Sequence, residues 1–175
     1  MIQRVSYYEV DMGYDVNIKR LEVSTLIDLQ GDPAIITHWI GNDLPPFPER
    51  PNTATNAKDI SIYWVGSSRW LLRADVLKEQ ELLSRLRLAE TPTEISLVQV
   101  SDTLQFFSIK GPDAREIISI ASAIDHHPSV FPFNGASYTE IFGMKGLLIR
   151  KGEGFEIGVE RSYGDMVEDF LLRIK

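Results

Sequence analysis

His38, His126 and His127 are the side chains best suited to metal ligation or to proton transfer near neutral pH. They do not form a ligand set. Adjacent residues of an extended chain point to opposite sides, so His126 and His127 would not converge without a sharp turn. No His-Glu-x-x-His pattern accompanies them, and a zinc centre would lack its third protein ligand. His127-Pro128 therefore reads as a loop shoulder packed on Phe131. The sequence contains no cysteine, which removes disulfides, thiolate nucleophiles, cysteine zinc sites and iron–sulfur ligation. No strand–Gly-x-Ser-x-Gly–helix elbow is present for a serine nucleophile. Gly66-Ser67-Ser68 and Gly152-Glu153-Gly154 are glycine-rich, but neither opens a helix. They read as hairpin turns rather than phosphate loops. No catalytic residue and no metal ligand is expected.

The elements around these residues follow one plan twice. Thr25–Gln30 is a strand running into Gly31-Asp32-Pro33-Ala34, after which Ile35, Ile36, Trp39 and Ile40 recur at helical spacing. Gln105–Lys110 runs likewise into Gly111-Pro112-Asp113-Ala114. There, Ala114, Ile117, Ile118 and Ala121 fall on one helical face. Pro-rich connectors follow, with Pro45, Pro46, Pro48 and Pro51 in the first half and Pro128 and Pro132 in the second. Hairpin-like runs come next: Ser61–Val65 with Trp70–Arg73, and Ser137–Phe142 with Gly146–Arg150. A second helix closes each unit. Val76 to about Leu88 is capped by Asp75; Tyr163 to Ile174 has Ser162 and Asp165 in a capping-box arrangement, with Val167, Phe170, Leu171 and Ile174 as its buried face.

This pattern predicts an α+β fold of two tandem diverged βαββαβ-like units, with antiparallel or mixed sheet and helices packed on it. The expected division is an N-terminal arm at 1–20, a first half at 21–101 and a second half at 102–175, forming one compact domain. The arm carries Tyr7, Tyr8 and Tyr14. The long segment from Gly41 to Lys58 is a candidate contact loop or a surface loop folded on its own domain.

Composition narrows the function classes. The chain has 175 residues, 43% of them hydrophobic and 25% charged, as in ordinary soluble globular proteins. Its net charge of −7 and lack of a basic run argue against a nucleic-acid partner. No apolar run approaches the ~20 residues of a membrane helix, and the first residues lack a signal core. A cytoplasmic protein is expected.

An ordered set of blocks then points to a family. They are Trp64 to Leu72 (WVGSSRWLL), Val100-Ser101-Asp102, Ile109 to Glu116 (IKGPDARE), His127 to Pro132 (HPSVFP) and Gly154 to Asp165 (GFEIGVERSYGD). In order and spacing they resemble the gamma subunit family of heterotetrameric sarcosine oxidase, related to the glycine-cleavage aminomethyltransferase fold. The resemblance covers roughly the last two thirds of the chain and, more loosely, the first third. Gly158 departs from it, standing where a bulkier residue is usual.

That resemblance implies a non-catalytic subunit with alpha, beta and delta subunits as partners. It places FAD, FMN, NAD and tetrahydrofolate on the large partners, zinc on delta and no cofactor on this chain. The complex would demethylate sarcosine or a related N-methyl amine. Interface candidates are Leu44 and Phe47 in the first connector, Phe131 and Phe133 in the second, and Arg161 and Tyr163 before the last helix. Lys151 to Ile157 also resembles the Gly-Glu-Asp-Gly-Phe-Glu stretch of aminomethyltransferases, one residue shorter, which makes Glu153 a candidate folate contact. The alternatives are a free-standing folate-binding or aminomethyltransferase-like protein, and an interaction module unrelated to amine oxidation.

Overall fold

The computed structural model describes residues 13–41 and 44–174. Among the described residues, ten strands form two five-stranded sheets accompanied by four α-helices, and every strand pair is antiparallel. The first half runs β2 (Ser24–Gln30), α1 (Pro33–Ile40), β3 (Ala54–Ala57), β4 (Ile60–Gly66), β5 (Arg69–Asp75), α2 (Glu79–Leu86) and β6 (Ser96–Gln99). The second runs β7 (Leu104–Lys110), α3 (Ala114–Ala121), β8 (Ala136–Ile141), β9 (Met144–Lys151), β10 (Gly154–Glu160) and α4 (Gly164–Ile174). The sheet orders are β3-β4-β5-β2-β6 and β8-β9-β10-β7-β1, where β1 is Asn17–Arg20.

The repeat is therefore real, and each sheet has five strands where four were expected, β3 being added in the first half and β1 joining the second. β3 lies inside the segment read as a long connector. The strands matching the hairpin β4–β5 are β9–β10, not β8–β9. Both turns expected from their glycines are hairpin turns, at Gly66–Arg69 and Lys151–Gly154.

The first twenty residues are not simply an arm. Tyr7 and Tyr8 lie outside the described residues, but Val16 is buried and Tyr14 packs on the same core. β1 pairs along β7 with Asn17 opposite Lys110. It takes the place in the second sheet that β6 takes in the first. A pair of glycines marks this equivalence. Gly31 and Gly111 both have positive φ, at 124° and 131°. A Cβ on Gly31 would lie 2.9 Å from the Glu94 carbonyl oxygen, and one on Gly111 would lie 2.4 Å from that of Asp15. In each half the segment leading into the edge strand crosses its glycine in contact, which no side chain permits.

The layers are helix, sheet, sheet, helix. Alternation along each strand sends one set of side chains to the helices and the other between the sheets. Phe107, Ile109, Ile157 and Val159 meet Ile117, Ile118, Val167 and Leu171 on one outer face. Ile27, Leu29, Leu72 and Trp70 meet Ile36, Leu82 and Leu86 on the other. Leu26, Tyr63 and Leu71 face Phe106, Leu147 and Ile149 between the sheets. The predicted α3 face is buried at all four positions. Burying Ile117 and Ile118 contributes about 1.5–3 kcal/mol apiece.

Caps follow the sequence in part. Asp32 accepts from the Ala34 N–H at 2.7 Å with Pro33 in the first turn, and Asp75 accepts from Leu77 N–H at 2.8 Å, capping the 3-10 turn Val76–Lys78 that leads into α2 rather than α2 itself. Ser162 does not cap. Its hydroxyl donates to the Glu160 carboxylate at 2.8 Å, and a one-turn 3-10 segment, Arg161–Tyr163, leads into α4.

Candidate functional site

Two of the surfaces that could receive a ligand or a partner arise where the two sheets part. At one end, Arg73 on β5 reaches across to Glu156 on β10 at 2.5 Å, with only 14% and 11% of the two side chains exposed. The Arg73 Nε donates to Ser24 Oγ at 3.0 Å, and its guanidinium stacks on Phe106 at 3.8 Å from the ring centroid. Stacking and bidentate-capable planarity suit arginine to such a place. Gly158, in register with Phe106 across β10–β7, makes the room: a Cβ there would lie 2.5 Å from the ring. The departure noted in the sequence thus admits the phenyl group on which Arg73 rests. Beside them is a hollow of about 460 Å³ that Asp59, Lys78 and Lys151 also line. The hydroxyl of the buried Tyr63 has no hydrogen-bond partner among the described residues.

At the other end the sheets enclose a half-open cavity of about 590 Å³. Val65, Leu71, Val100 and Leu104 give it an apolar floor. Asp28, 8% exposed, forms one wall and accepts from Arg69 Nε at 2.8 Å and from Gln30 Nε2 at 2.6 Å. That hydrogen bond holds the Arg69 guanidinium above its ordinary pKa. Burial pushes the Tyr138 phenol up, so its hydroxyl stays protonated at neutral pH.

The residues singled out from sequence are distributed unevenly. Glu153 sits in the exposed β9–β10 turn with Lys110 and Lys151 lining the hollow beside it, whereas Glu156, three residues on, turns into the inter-sheet space. Leu44 and Phe47 pack on their own core, Phe47 edge-on to Trp70 at 4.7 Å, and Phe131 is 3% exposed. Phe133 is 69% exposed and Tyr163 43%. Arg161 lines the 590 Å³ cavity; its backbone N–H donates to Thr103 O at 2.9 Å, and its side chain has no carboxylate partner among the described residues.

Of the histidines, His126 is buried, 3.3 Å from Ser119 Oγ, and His127 Nδ1 lies 2.7 Å from Ser129 Oγ. The shoulder expected at His127-Pro128 is a turn in which Phe131 N–H donates to the His127 carbonyl. Among the described residues, no three His, Cys, Asp or Glu side chains are placed to hold a metal. No described helix is long and apolar enough to cross a membrane. The inter-sheet groups escaped sequence reading because they lie far apart in the chain. Arg73 and Glu156 come from different repeats and share no local motif.

Two antiparallel sheets face to face, each covered by a helix pair, define a duplicated α+β fold of the aminomethyltransferase kind. Aminomethyltransferase T of the glycine cleavage system from Bartonella henselae shares it with a TM-score of 0.67 at 13% identity, over 91% of this chain and 46% of that one. The chain thus spans just under half of that enzyme. Heterotetrameric sarcosine oxidase from Corynebacterium sp. U-96, solved with pyrrole 2-carboxylate, contains a chain that matches with a TM-score of 0.76 at 20% identity, over 91% of this chain and 83% of that one. No curated protein sequence matches at a significant level. The profile of the sarcosine oxidase, gamma subunit family covers residues 34–173, and the chain belongs to that family.

Proposed function

We propose that this chain is a non-catalytic gamma subunit of a sarcosine-oxidase-type complex that oxidatively demethylates sarcosine or a related N-methyl amine. Family membership over residues 34–173 carries the reading. In it, the alpha and beta subunits hold FAD, FMN, NAD and tetrahydrofolate, a delta subunit completes the assembly, and this chain stabilises the large subunits by contact in the cytoplasm.

The surface supports a contact role. On the connector after α3, Val130 and Phe133 are 62% and 69% exposed, and Phe133 lies 4.9 Å from the Arg150 guanidinium. That buried arginine donates to the His126 and Phe131 carbonyls at 3.1 and 3.0 Å, so the loop presenting Phe133 is held in place. A fixed aromatic side chain at the surface loses little entropy on docking. Tyr163, with Met166 one helical turn on, offers a second apolar contact.

The test is co-expression with the flavin-carrying subunits of a sarcosine-oxidase-type complex, followed by size-exclusion chromatography read at flavin wavelengths. The chain should co-elute with flavin as part of a complex and be colourless alone, and Phe133→Asp should weaken co-elution. Elution apart from the flavoprotein, or a stoichiometric flavin on the isolated chain, would overturn the reading.

A further inference from the structure

We propose that the 590 Å³ inter-sheet cavity is a binding site of this chain for a small organic carboxylate with a flat apolar body. The inference does not depend on assembly into a complex.

The shape comes first. The cavity falls within the size range of small-molecule sites, and it is a gap between two packed sheets rather than a surface dimple. Facing sheets lie ~10 Å apart, and a slot of that origin favours a flat body. Its floor of Val65, Leu71, Val100 and Leu104 supplies apolar contact on both sides, since the first two belong to one sheet and Leu104 to the other.

The polar groups determine the charge of the ligand. Arg69 uses only its Nε for Asp28, which leaves both Nη groups without a partner among the described residues. Lys145 and the Arg161 side chain also line the cavity, and neither has an ion pair or hydrogen bond among the described residues. The Tyr138 hydroxyl adds a neutral donor. On the accepting side, Asp28 is already occupied by Arg69 and Gln30, and Glu160 gives only its Oε1 to the Ser162 hydroxyl, which leaves its Oε2 open among the described residues. Asp102 lines the cavity with no side-chain partner among the described residues. Although three carboxylates and three cations line the cavity, open donor groups therefore outnumber open carboxylate oxygens around an apolar floor. A ligand that satisfies them has a carboxylate at the mouth, where arginine offers a bidentate fork, and an apolar body within. The strands fix the cationic groups from separate directions: Arg69 begins β5, Lys145 lies in β9 and Arg161 follows β10.

The experiment titrates the full chain with 2-naphthoate by calorimetry and by amide chemical shifts. Neutral 2-naphthalenemethanol and cationic 2-naphthylmethylamine serve as matched probes. One naphthoate should bind, with shifts confined to the cavity residues, and the neutral and cationic probes should bind at least tenfold more weakly. Lys145→Ala and Arg161→Ala, both surface changes, should each weaken naphthoate several-fold with the melting temperature held. Leu104→Trp, which fills the floor, should abolish binding. The proposal is overturned if naphthoate shows no saturable binding or if the three probes bind alike. Naphthoate affinity unchanged in both Lys145→Ala and Arg161→Ala would equally overturn it.

Discussion

Adding one methyl group at Gly158 should destabilise the chain through the inter-sheet core. In Gly158→Ala the new Cβ would lie 2.5 Å from one carbon of the Phe106 ring and 3.0 and 3.1 Å from two others. Ordinary contact lies beyond 3.4 Å, so ring or strand must yield by about an ångström in a region packed at crystal-like density. The ring is 1% exposed and carries the Arg73 guanidinium on its face, so its retreat disturbs the Arg73–Glu156 pair as well. Overpacking of this kind costs about 1–3 kcal/mol. Alanine gains back about 0.5–1 kcal/mol over glycine in backbone entropy. The central figures leave a net loss of about 1 kcal/mol, a fall in Tm of about 2–4 °C for a chain of this size. Scanning calorimetry with urea titration measures it. Phe106→Leu removes the obstructing ring edge, so the double variant should be about 1 kcal/mol more stable than the sum of the single losses. A Gly158→Ala protein as stable as the parent, or strict additivity in the double variant, would refute the packing argument.

Glu156→Gln should cost about 2–3 kcal/mol by urea unfolding, because it strands the nearly buried Arg73 charge. The joint change Arg73→Met with Glu156→Leu should recover at least half of that loss. Phe47→Asp places a carboxylate against Trp70 and should lower stability by about 3 kcal/mol, whereas Phe133→Asp should shift it by about 0.5 kcal/mol or less. Asp59 is held below its ordinary value of 3.8 by the hydrogen bond from Lys78 and then by its charge. Its contribution is therefore present above about pH 4 and is lost as the pH falls through the lower folded-state value. Asp59→Asn should flatten the acid limb of the stability profile slightly, and high salt should erase the difference because the pair is exposed.

What the sequence disclosed depended on whether its signal was local. The α3 face was legible because four apolar residues at helical spacing admit one burial pattern, and Asp75 announced its cap. β3 was hidden because Ala54-Thr55-Asn56-Ala57 lacks apolar alternation; it is held by pairing to β4 and by the Ala54 N–H bond to the Asn134 carbonyl at 2.7 Å. β1 looked like part of an arm because Asn17-Ile18-Lys19-Arg20 is short and charged, as edge strands tend to be. Once β3 was missed, the hairpins of the two halves were matched one strand out of step. Glu153 was offered for the site by the resemblance of Lys151 to Ile157 to an aminomethyltransferase stretch, while Glu156 gained its surroundings only when two sheets met. Leu44 and Phe47 illustrate the same limit. Their apolar character was evident, but whether it faced a partner or their own core depended on Trp70.

Because β1 borders β7, the two repeats are latched rather than merely joined. During synthesis the strand that finishes the second sheet emerges before any of the first, and it must wait without a partner until β7 follows it. Until then its hydrogen-bonding edge is unclaimed, and afterwards β7 is protected from pairing with another molecule. Proteolysis between Arg20 and Ser24 would leave both halves present but free the strand that closes the second one. The exposed β7 edge would then invite association between chains, so damage at this short linker should appear first as aggregation rather than as loss of helix.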